Sequence, residues 1–410
     1  MVYGGQGLGR LDNKVYFVWN ALPGETVTVE LIKTKKNFCE AIAKEILIGS
    51  PERIDPVEKH FLSCSPWQIM APEVEDKYKI EIVRDVFRKN AHFELPKDLS
   101  IVSDVKNFLH YRNKMEYSFC LQDEKLSLGI FNRDTHEVVA VDECCLAMDI
   151  INKKAIEVLT LLQENNVLAQ DLDHLVLRSD TNVECNADLY VQPKMQKELV
   201  DKTVPKKTWL RILLSKKNVE VETTKSEIEL SEKINDVTLF YNSEVFFQIN
   251  FPIFKQAVDS IASFIPEKSD VVDCFSGVGA ISLPLWRQIK KLTLIENQNQ
   301  ACELAEKNIE FNKIDNAEII TDSVENLKNI DLENKVLILD PPRAGLTKSM
   351  IQSILTGQPA RIVYLSCDQA TQARDLADLF GKYELEHFEL FNFFSRTPHV
   401  ESLAILTLKK

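Results

Sequence analysis

At 410 residues the chain is longer than one hydrophobic core usually serves, so two or three domains are expected. With 45% hydrophobic and 27% charged residues it has the composition of a globular protein. No apolar run reaches the roughly 20 residues of a membrane-spanning helix, and no basic-then-apolar leader opens the chain, so a cytoplasmic protein without membrane contact is expected, as a monomer. A formal net charge of -13 excludes a uniformly basic nucleic-acid binder, yet Lys33, Lys35 and Lys36, Lys206 with Lys207, and Lys216 with Lys217 concentrate positive charge locally. The nine cysteines are scattered and odd in number, which suits reduced thiols rather than a disulfide scaffold.

In chain order, residues 1–50 alternate short β-type runs (14–22, 25–34 and 39–47) with turns at Gly4-Gly5, Gly7, Gly9 and Pro23-Gly24. That is the pattern of a small barrel. Because it begins almost at Met1, its first strand is expected to be missing or to lie upstream. A linker with two prolines (49–56) follows. The middle region, 57–244, reads as mixed α+β, with a helix over 73–90 and strand-like runs at 109–122 and 126–141. From 245 to 410 the pattern changes to alternating strands and helices, with strands at 269–275, 291–296, 317–321, 335–340 and 360–367. Such alternation specifies an α/β domain: a parallel sheet with helices on both faces and ligands at the carboxyl ends of its strands. The runs 383–394 and 399–408 suit an antiparallel pair added to that sheet.

The segment "VVDCFSGVGAISL" (271–283) reads as a buried strand through Asp273, a turn carrying Gly277 and Gly279, then a helix. Glycines let the backbone turn sharply and a ligand approach closely. The strand 291–296 ends in Glu296, suitably placed to bridge two ribose hydroxyls. Ser282 stands where a third glycine would complete G-x-G-x-x-G, which disfavours a dinucleotide and suits S-adenosylmethionine, a ligand with no pyrophosphate. Asp322 suits either the adenine amino group or a helix N-cap.

Two further strand ends carry chemistry. Asp340-Pro341-Pro342-Arg343 forms a stiff loop able to present polar groups to a flat ring, and Arg343 replaces the aromatic residue that amino-methylating enzymes stack on a base. Cys367 ends the next strand. Uracil carbon 5 attacks a sulfonium methyl too weakly by itself. A thiolate adding to carbon 6 makes an enolate that can do so, and a base must then remove the carbon 5 proton. Glu401 is the expected base. The plainer alternatives are a buried inert thiol and a surface charge on an edge strand.

The motifs "FFQIN", "DCFSGVGAISLPL", "LDPPRAGL", "VYLSCDQATQARDL" and "HVESLAILTL", in this order, resemble the RNA 5-methyluridine methyltransferase family. The resemblance implies a Rossmann-like class I methyltransferase domain at 245–410, with Gln248, Phe275, Glu296 and Asp340 at the cofactor, Cys367 as nucleophile and Glu401 as proton acceptor. "GGQGLGRLDNKVYFVWNALPGETVTVEL" is similar to the RNA-binding TRAM barrel, and "YRNKMEYSF" to the family's central domain, which implies RNA contacts by residues 1–50 and 57–244. Family members act on transfer or ribosomal RNA, and the barrel tilts the expectation toward ribosomal RNA.

Two departures stand out. Many members hold a four-iron cluster on four cysteines, but "EKHFLSCSPWQ" and "VDECCL" retain Cys64 and Cys144 and place Glu58 and Trp67 at the other two positions, so neither cluster nor metal is expected. Ala280 stands where the family often has a polar residue. The nearest rival is RNA cytosine-5 methylation, which calls for a second cysteine in the Asp340 loop, where none exists. A more distant rival is an RNA-binding module without catalysis.

Overall fold

The structure, a computed structural model, describes residues 1–133, 135, 137–192, 209–214, 219–220 and 228–410. Asp134 and His136 of the expected run 126–141, and the lysines at 206, 207, 216 and 217, lie outside the described residues.

Four strands open the chain: β1 (Gly7–Leu11), β2 (Lys14–Trp19), β3 (Thr26–Thr34) and β4 (Phe38–Ile48), ordered β1-β2-β4-β3. Gly7 and Gly9, expected in turns, instead lie in β1, which pairs antiparallel with β2. A Cβ on Gly7 would sit 2.8 Å from the Ala21 carbonyl oxygen, so only glycine allows this approach. Asp12 and Asn13, both at positive φ, make the tight turn between β1 and β2. Lys33, Lys35 and Lys36 are exposed at the β3–β4 turn. The linker is tied back to this sheet by Arg53, whose Nε and Nη2 donate to the two carboxylate oxygens of Glu25 at 2.5 and 2.7 Å.

Next come a single helical turn, α1 (Phe61–Cys64), the long α2 (Pro72–Asn90) and the two-residue β5 (Ile101–Val102). Tyr78, Ile82, Val83, Val86 and Phe87 fall on one face of α2 at helical spacing and are buried. Among the described residues, that face does not share a core with the middle region. It shares a core with Leu337, Tyr364, Leu376 and Phe388 of the C-terminal sheet, and β5 extends that sheet by pairing with its outer strand. Residues 72–102, which composition groups with the middle, are therefore structurally part of the C-terminal unit.

The middle unit contains β6 (Lys114–Gln122), β7 (Lys125–Phe131), β8 (Val138–Ala140), β9 (Leu172–Ser179), β10 (Cys185–Val191), β11 (Leu210–Leu214) and β12 (Val219–Glu220) in one sheet, ordered β12-β11-β10-β9-β6-β7-β8. The helix α3 (Asp149–Glu164) covers it, burying Ile151, Ala155, Val158 and Leu162. A hairpin, β13 (Leu230–Ile234) and β14 (Val237–Tyr241), leads into α4 (Phe251–Phe264).

The C-terminal sheet adds β15 (Ser269–Cys274), β16 (Ile289–Glu296), β17 (Ala317–Thr321), β18 (Val336–Leu339), β19 (Arg361–Ser366), β20 (Tyr383–Phe391) and β21 (Glu401–Leu408). Its order is β17-β16-β15-β18-β19-β21-β20-β5, with β15 to β19 parallel and β21 antiparallel to β19. The parallel sheet and the added antiparallel pair are as expected. The order reverses between β15 and β18, and the crevice above that reversal is where open α/β sheets take ligands. Three helices, α5 (Asn299–Phe311), α6 (Lys348–Gly357) and α7 (Gln369–Leu379), connect the strands. The helix expected after Gly279 is instead a single 3-10 stretch, Leu283–Gln288. Pro284 lies in its first turn and β16 begins at Ile289, which leaves no room for an α-helix.

A buried ionic cluster locks α2 to the loop between β20 and β21. Glu75 accepts from Lys79 Nζ at 2.7 Å, from Asn392 Nδ2 at 3.1 Å and from the Arg396 backbone N–H at 2.9 Å, and pairs with Arg396 Nη1 at 3.3 Å. Burial lowers the pKa of Lys79, with Glu75 opposing that shift. Removing the one anion that holds two buried cations should be costly: Glu75→Ala is expected to destabilise the C-terminal unit by about 3–5 kcal/mol in urea unfolding. A loss near zero would mean that the cluster does not hold the loop.

Candidate active site

The carboxyl ends of β15, β16, β18 and β19 and the start of β21 surround a cavity of about 550 Å³. Gln248, Phe275, Gly277, Glu296, Asp340, Cys367 and Glu401, seven of the eight residues singled out from the sequence, line it together.

Each is positioned by its element. Gln248 follows β14 in a segment propped by the middle unit: Asn113 Nδ2 donates to the Gln248 carbonyl at 3.1 Å, and Arg178 Nη2 to that of Phe247 at 2.9 Å. Phe247 is buried and stacked on Tyr241 with ring centroids 4.1 Å apart, whereas Phe246 is 71% exposed at the cavity. Phe275 directly follows β15 in the left-handed region at φ 61°, a conformation that costs energy in a bulky residue and concentrates at functional sites. Gly277 and Gly279 complete the turn at φ 55° and 82°. A Cβ on Gly279 would collide with Leu283 at 2.4 Å, while the space at Gly277 is open within 4 Å. Glu296 is held by three backbone donors, Gly277 N–H at 3.0 Å on Oε2 and Asn297 and Gln298 N–H at 2.8 Å each on Oε1, which leaves about one acceptor site, on Oε2, for a ligand.

Asp322 does not line the cavity. It is exposed, and its carboxylate accepts from the Ser323 N–H at 2.7 Å and Asn326 Nδ2 at 2.8 Å. The N-cap of the following 3-10 turn is Ser323 rather than Asp322. Only the Asp322 backbone touches the site's frame, donating to the Glu296 carbonyl at 3.0 Å.

Cys367 and Glu401 come together because β19 and β21 are neighbours. The ladder pairs Ser366 with Ser402, and the next residues outward are Cys367 and Glu401. Cys367 is half-buried, and Glu401 is buried with Oε2 lacking any hydrogen-bond partner. Burial pushes the Cys367 thiol up to about 12, Glu401 and Asp340 push the same way, and Arg343 opposes them. Burial also raises Asp340 to about 7, and raises Glu401 well above the usual carboxylate range with Asp340 adding to it. Buried Asp273, near the end of β15, is likewise raised to about 7 by burial, with the Ser282 hydroxyl opposing that shift and Asp340 and Glu296 adding to it. These groups crowd a poorly solvated space, so most of the negative charge they could carry is withheld at neutral pH.

Sequence reasoning missed several wall residues: Phe246, Gln298, Ala301, Phe394 and His399. Phe394 and His399 belong to the β20–β21 loop, and Phe246 showed only in the aromatic pair of "FFQIN". Tyr3 was also missed: its hydroxyl donates to Asp368 Oδ2 at 2.8 Å, tying the N-terminal sheet to the residue after Cys367.

Fold and site together define an RNA-modifying methyltransferase, and comparison with known proteins gives the family. Residues 89–409 match the model of the tRNA (uracil-5-)-methyltransferase family, and residues 3–44 that of the TRAM domain. The chain belongs to that family. An uncharacterized RNA methyltransferase from Fusobacterium nucleatum is 31% identical, covering 100% of this chain and 94% of the relative. Another from Prochlorococcus marinus is 30% identical over 94% of this chain and 99% of its own. The fold is shared with the crystal structure of Pyrococcus abyssi tRNA (uracil-54, C5)-methyltransferase in complex with S-adenosyl-L-homocysteine: TM-score 0.74, 21% identity, 99% of this chain and 98% of that one.

The raised Cys367 pKa has a direct readout. Alkylation of Cys367 by iodoacetamide in the free protein, followed by peptide mass spectrometry, should rise about tenfold per pH unit from pH 7 to pH 10 without levelling, since only the thiolate reacts. A rate that levels off between about pH 9 and 10 would mean an ordinary, well-solvated thiol.

Proposed function

We propose that this enzyme transfers a methyl group from S-adenosylmethionine to carbon 5 of a uridine in RNA through a transient bond between Cys367 and carbon 6. The juxtaposition of Cys367 and Glu401 at one end of the β19–β21 ladder, inside the cavity, carries the reading.

The residues present fit the cofactor. The Glu296 carboxylate, anchored by backbone N–H groups, suits a ribose hydroxyl, and open space at Gly277 admits a close ligand. When bound, S-adenosylmethionine supplies an electrophilic methyl on a positively charged sulfur. Cys367, Asp340 and Glu401 all have raised pKa values, so each ionises more readily once a positive charge shares the cavity.

The Cys367 thiolate, formed by loss of its proton to solvent, would bond to uracil carbon 6 as the carbon 5–carbon 6 π pair shifts onto carbon 5 and the carbon 4 carbonyl oxygen. Carbon 5 would take the methyl as the sulfur–methyl bond breaks and its electron pair stays on the donor sulfur as a neutral thioether. Glu401 then accepts the carbon 5 proton, the carbon 5–carbon 6 double bond re-forms and the sulfur leaves. The uridine must be unstacked, because carbon 6 is inaccessible within a stack, and Phe246 and Phe394 offer aromatic surface beside the cavity.

RNA containing 5-fluorouridine tests the covalent step. Wild type with S-adenosylmethionine should form a complex that survives denaturing electrophoresis, Cys367→Ala none, and Glu401→Gln should accumulate the same complex on ordinary RNA while turning over about 10²–10⁴-fold more slowly. Normal turnover by Cys367→Ala would refute the mechanism.

Ribosomal RNA is the substrate suggested by the N-terminal sheet. The Pyrococcus abyssi tRNA (uracil-54, C5)-methyltransferase shares the fold over nearly its whole length, so transfer RNA is the alternative substrate. Incubating total RNA with labelled methyl donor decides: label in the large ribosomal RNA is the expected outcome, and label confined to tRNA would reassign the substrate.

A further inference from the structure

Away from the catalytic cavity, Glu58, His60, Cys64 and Cys144 offer one carboxylate oxygen, one imidazole nitrogen and two sulfurs, all within 4.8 Å of one another. These residues come from two distant segments: Glu58, His60 and Cys64 from the stretch leading into and through α1, Cys144 from the loop before α3. The edges of a tetrahedron with metal–ligand bonds of about 2.0–2.3 Å are about 3.3–3.8 Å, so movements of about 1 Å or less would bring these donors into tetrahedral coordination. His60 Nε2 is buried and lies 3.4 Å from Glu58 Oε1. A buried imidazole nitrogen that faces two thiols and a carboxylate is in the setting of a metal ligand.

The four-iron cluster that the family resemblance implies does not fit here. One of its four positions is held by Trp67, which is 1% exposed and donates its ring N–H to the Gly5 carbonyl at 2.9 Å. A second is Glu58. Two thiolates do not hold four irons and four sulfides. We propose instead that Glu58, His60, Cys64 and Cys144 bind a single zinc-type divalent ion.

The donor set fits that class of ion. Two sulfurs and an imidazole select a borderline-soft metal over magnesium or calcium, and four protein ligands make a closed, structural site. The outer contacts are in place as well. Gln68 Nε2 donates to Glu58 Oε2 at 2.9 Å, and the Cys145 backbone N–H donates to Glu58 Oε1. Asn152 grips Cys144 on both sides, accepting from its N–H at 3.1 Å and donating to its carbonyl at 3.0 Å. A divalent ion with two thiolates and one carboxylate carries one net negative charge. The Arg112 guanidinium, electrostatically coupled to both cysteines, offsets it. Such a site would clip the segment behind the N-terminal sheet to the middle unit.

The test uses the full-length protein. Zinc added to chelator-treated wild type should bind one ion per chain, as read by native mass spectrometry, and raise the melting temperature. Cobalt in its place should give a sulfur-to-metal charge-transfer band and the intense visible absorption of tetrahedral cobalt. Cys64→Ser and Cys144→Ser should each lose the charge-transfer intensity of one thiolate and bind zinc far more weakly, while Cys120→Ser, at a cysteine outside the cluster, should match wild type. The wild-type cobalt spectrum stands even if a serine variant misfolds. No zinc uptake and no cobalt band in wild type, a band unchanged in both cluster variants, or reconstitution with four irons and four sulfides per chain would each overturn the proposal.

Discussion

The geometry of the cavity depends on a charge placed where charge is costly. Glu75 sits inside the interface between α2 and the β20–β21 loop, 1% exposed, with Lys79 and Arg396 equally sequestered. Taking three charges out of water is unfavourable unless each finds strong partners, and here they do. Lys79 Nζ also reaches Asn392 Oδ1 at 2.6 Å, Arg396 Nη2 reaches the Met70 carbonyl at 2.6 Å, and the Trp67 backbone N–H bonds to the Arg396 carbonyl at 3.1 Å. Arg396 is held at φ 66°, which a non-glycine residue adopts only where its surroundings demand it. The loop so pinned carries Phe394 and His399 to the cavity wall and delivers the chain to Glu401, so the proposed proton acceptor is placed by contacts formed with a helix more than 300 residues earlier.

Within the cavity the controlling effect is electrostatic crowding. Asp340, Glu401 and Cys367 are each raised by burial, Asp340 raises Glu401 further and both carboxylates raise the thiol, with exposed Arg343 opposing at Glu401 and Cys367. Cys367 immediately precedes the capped N-terminus of α7, where Asp368 Oδ1 accepts from the Thr371 N–H at 2.9 Å. A helix N-terminus favours a thiolate, but desolvation outweighs it here. Burial and crowding thus favour the neutral forms of these groups, and any positive charge brought beside them favours their ionised forms.

The two other units also reach the cavity. Asn113 and Arg178 of the middle unit support the segment carrying Phe246 and Gln248, and Tyr3 of the N-terminal unit bonds to Asp368. Gly5 is packed so closely that a Cβ would lie 2.4 Å from Pro398, which fixes the N-terminal segment against the loop that leads to His399. An RNA held by the outer units would thus be held by elements bonded to the catalytic frame itself.

By itself the sequence determined the alternating strands of the C-terminal unit, their parallel order, and seven residues that meet in one cavity. Those features are written locally, because a glycine turn after a buried strand or a cysteine at a strand end has its meaning within a few residues. Tertiary structure alone decided the rest. The apolar stripe of α2 announces a buried face but not which sheet covers it, and the glycines of β1 look like turns until the approach of Ala21 is seen. Asp322 sits at a strand end like the others, yet the structure leaves it outside the cavity, its Oδ1 accepting from Ser323 N–H and Asn326 Nδ2. His60 stands beside Cys64 and Cys144 only because α1 and the loop before α3 meet in space. Periodicity records which side of an element avoids water, whereas a site is a meeting of side chains from remote segments, and only the packed chain brings those together.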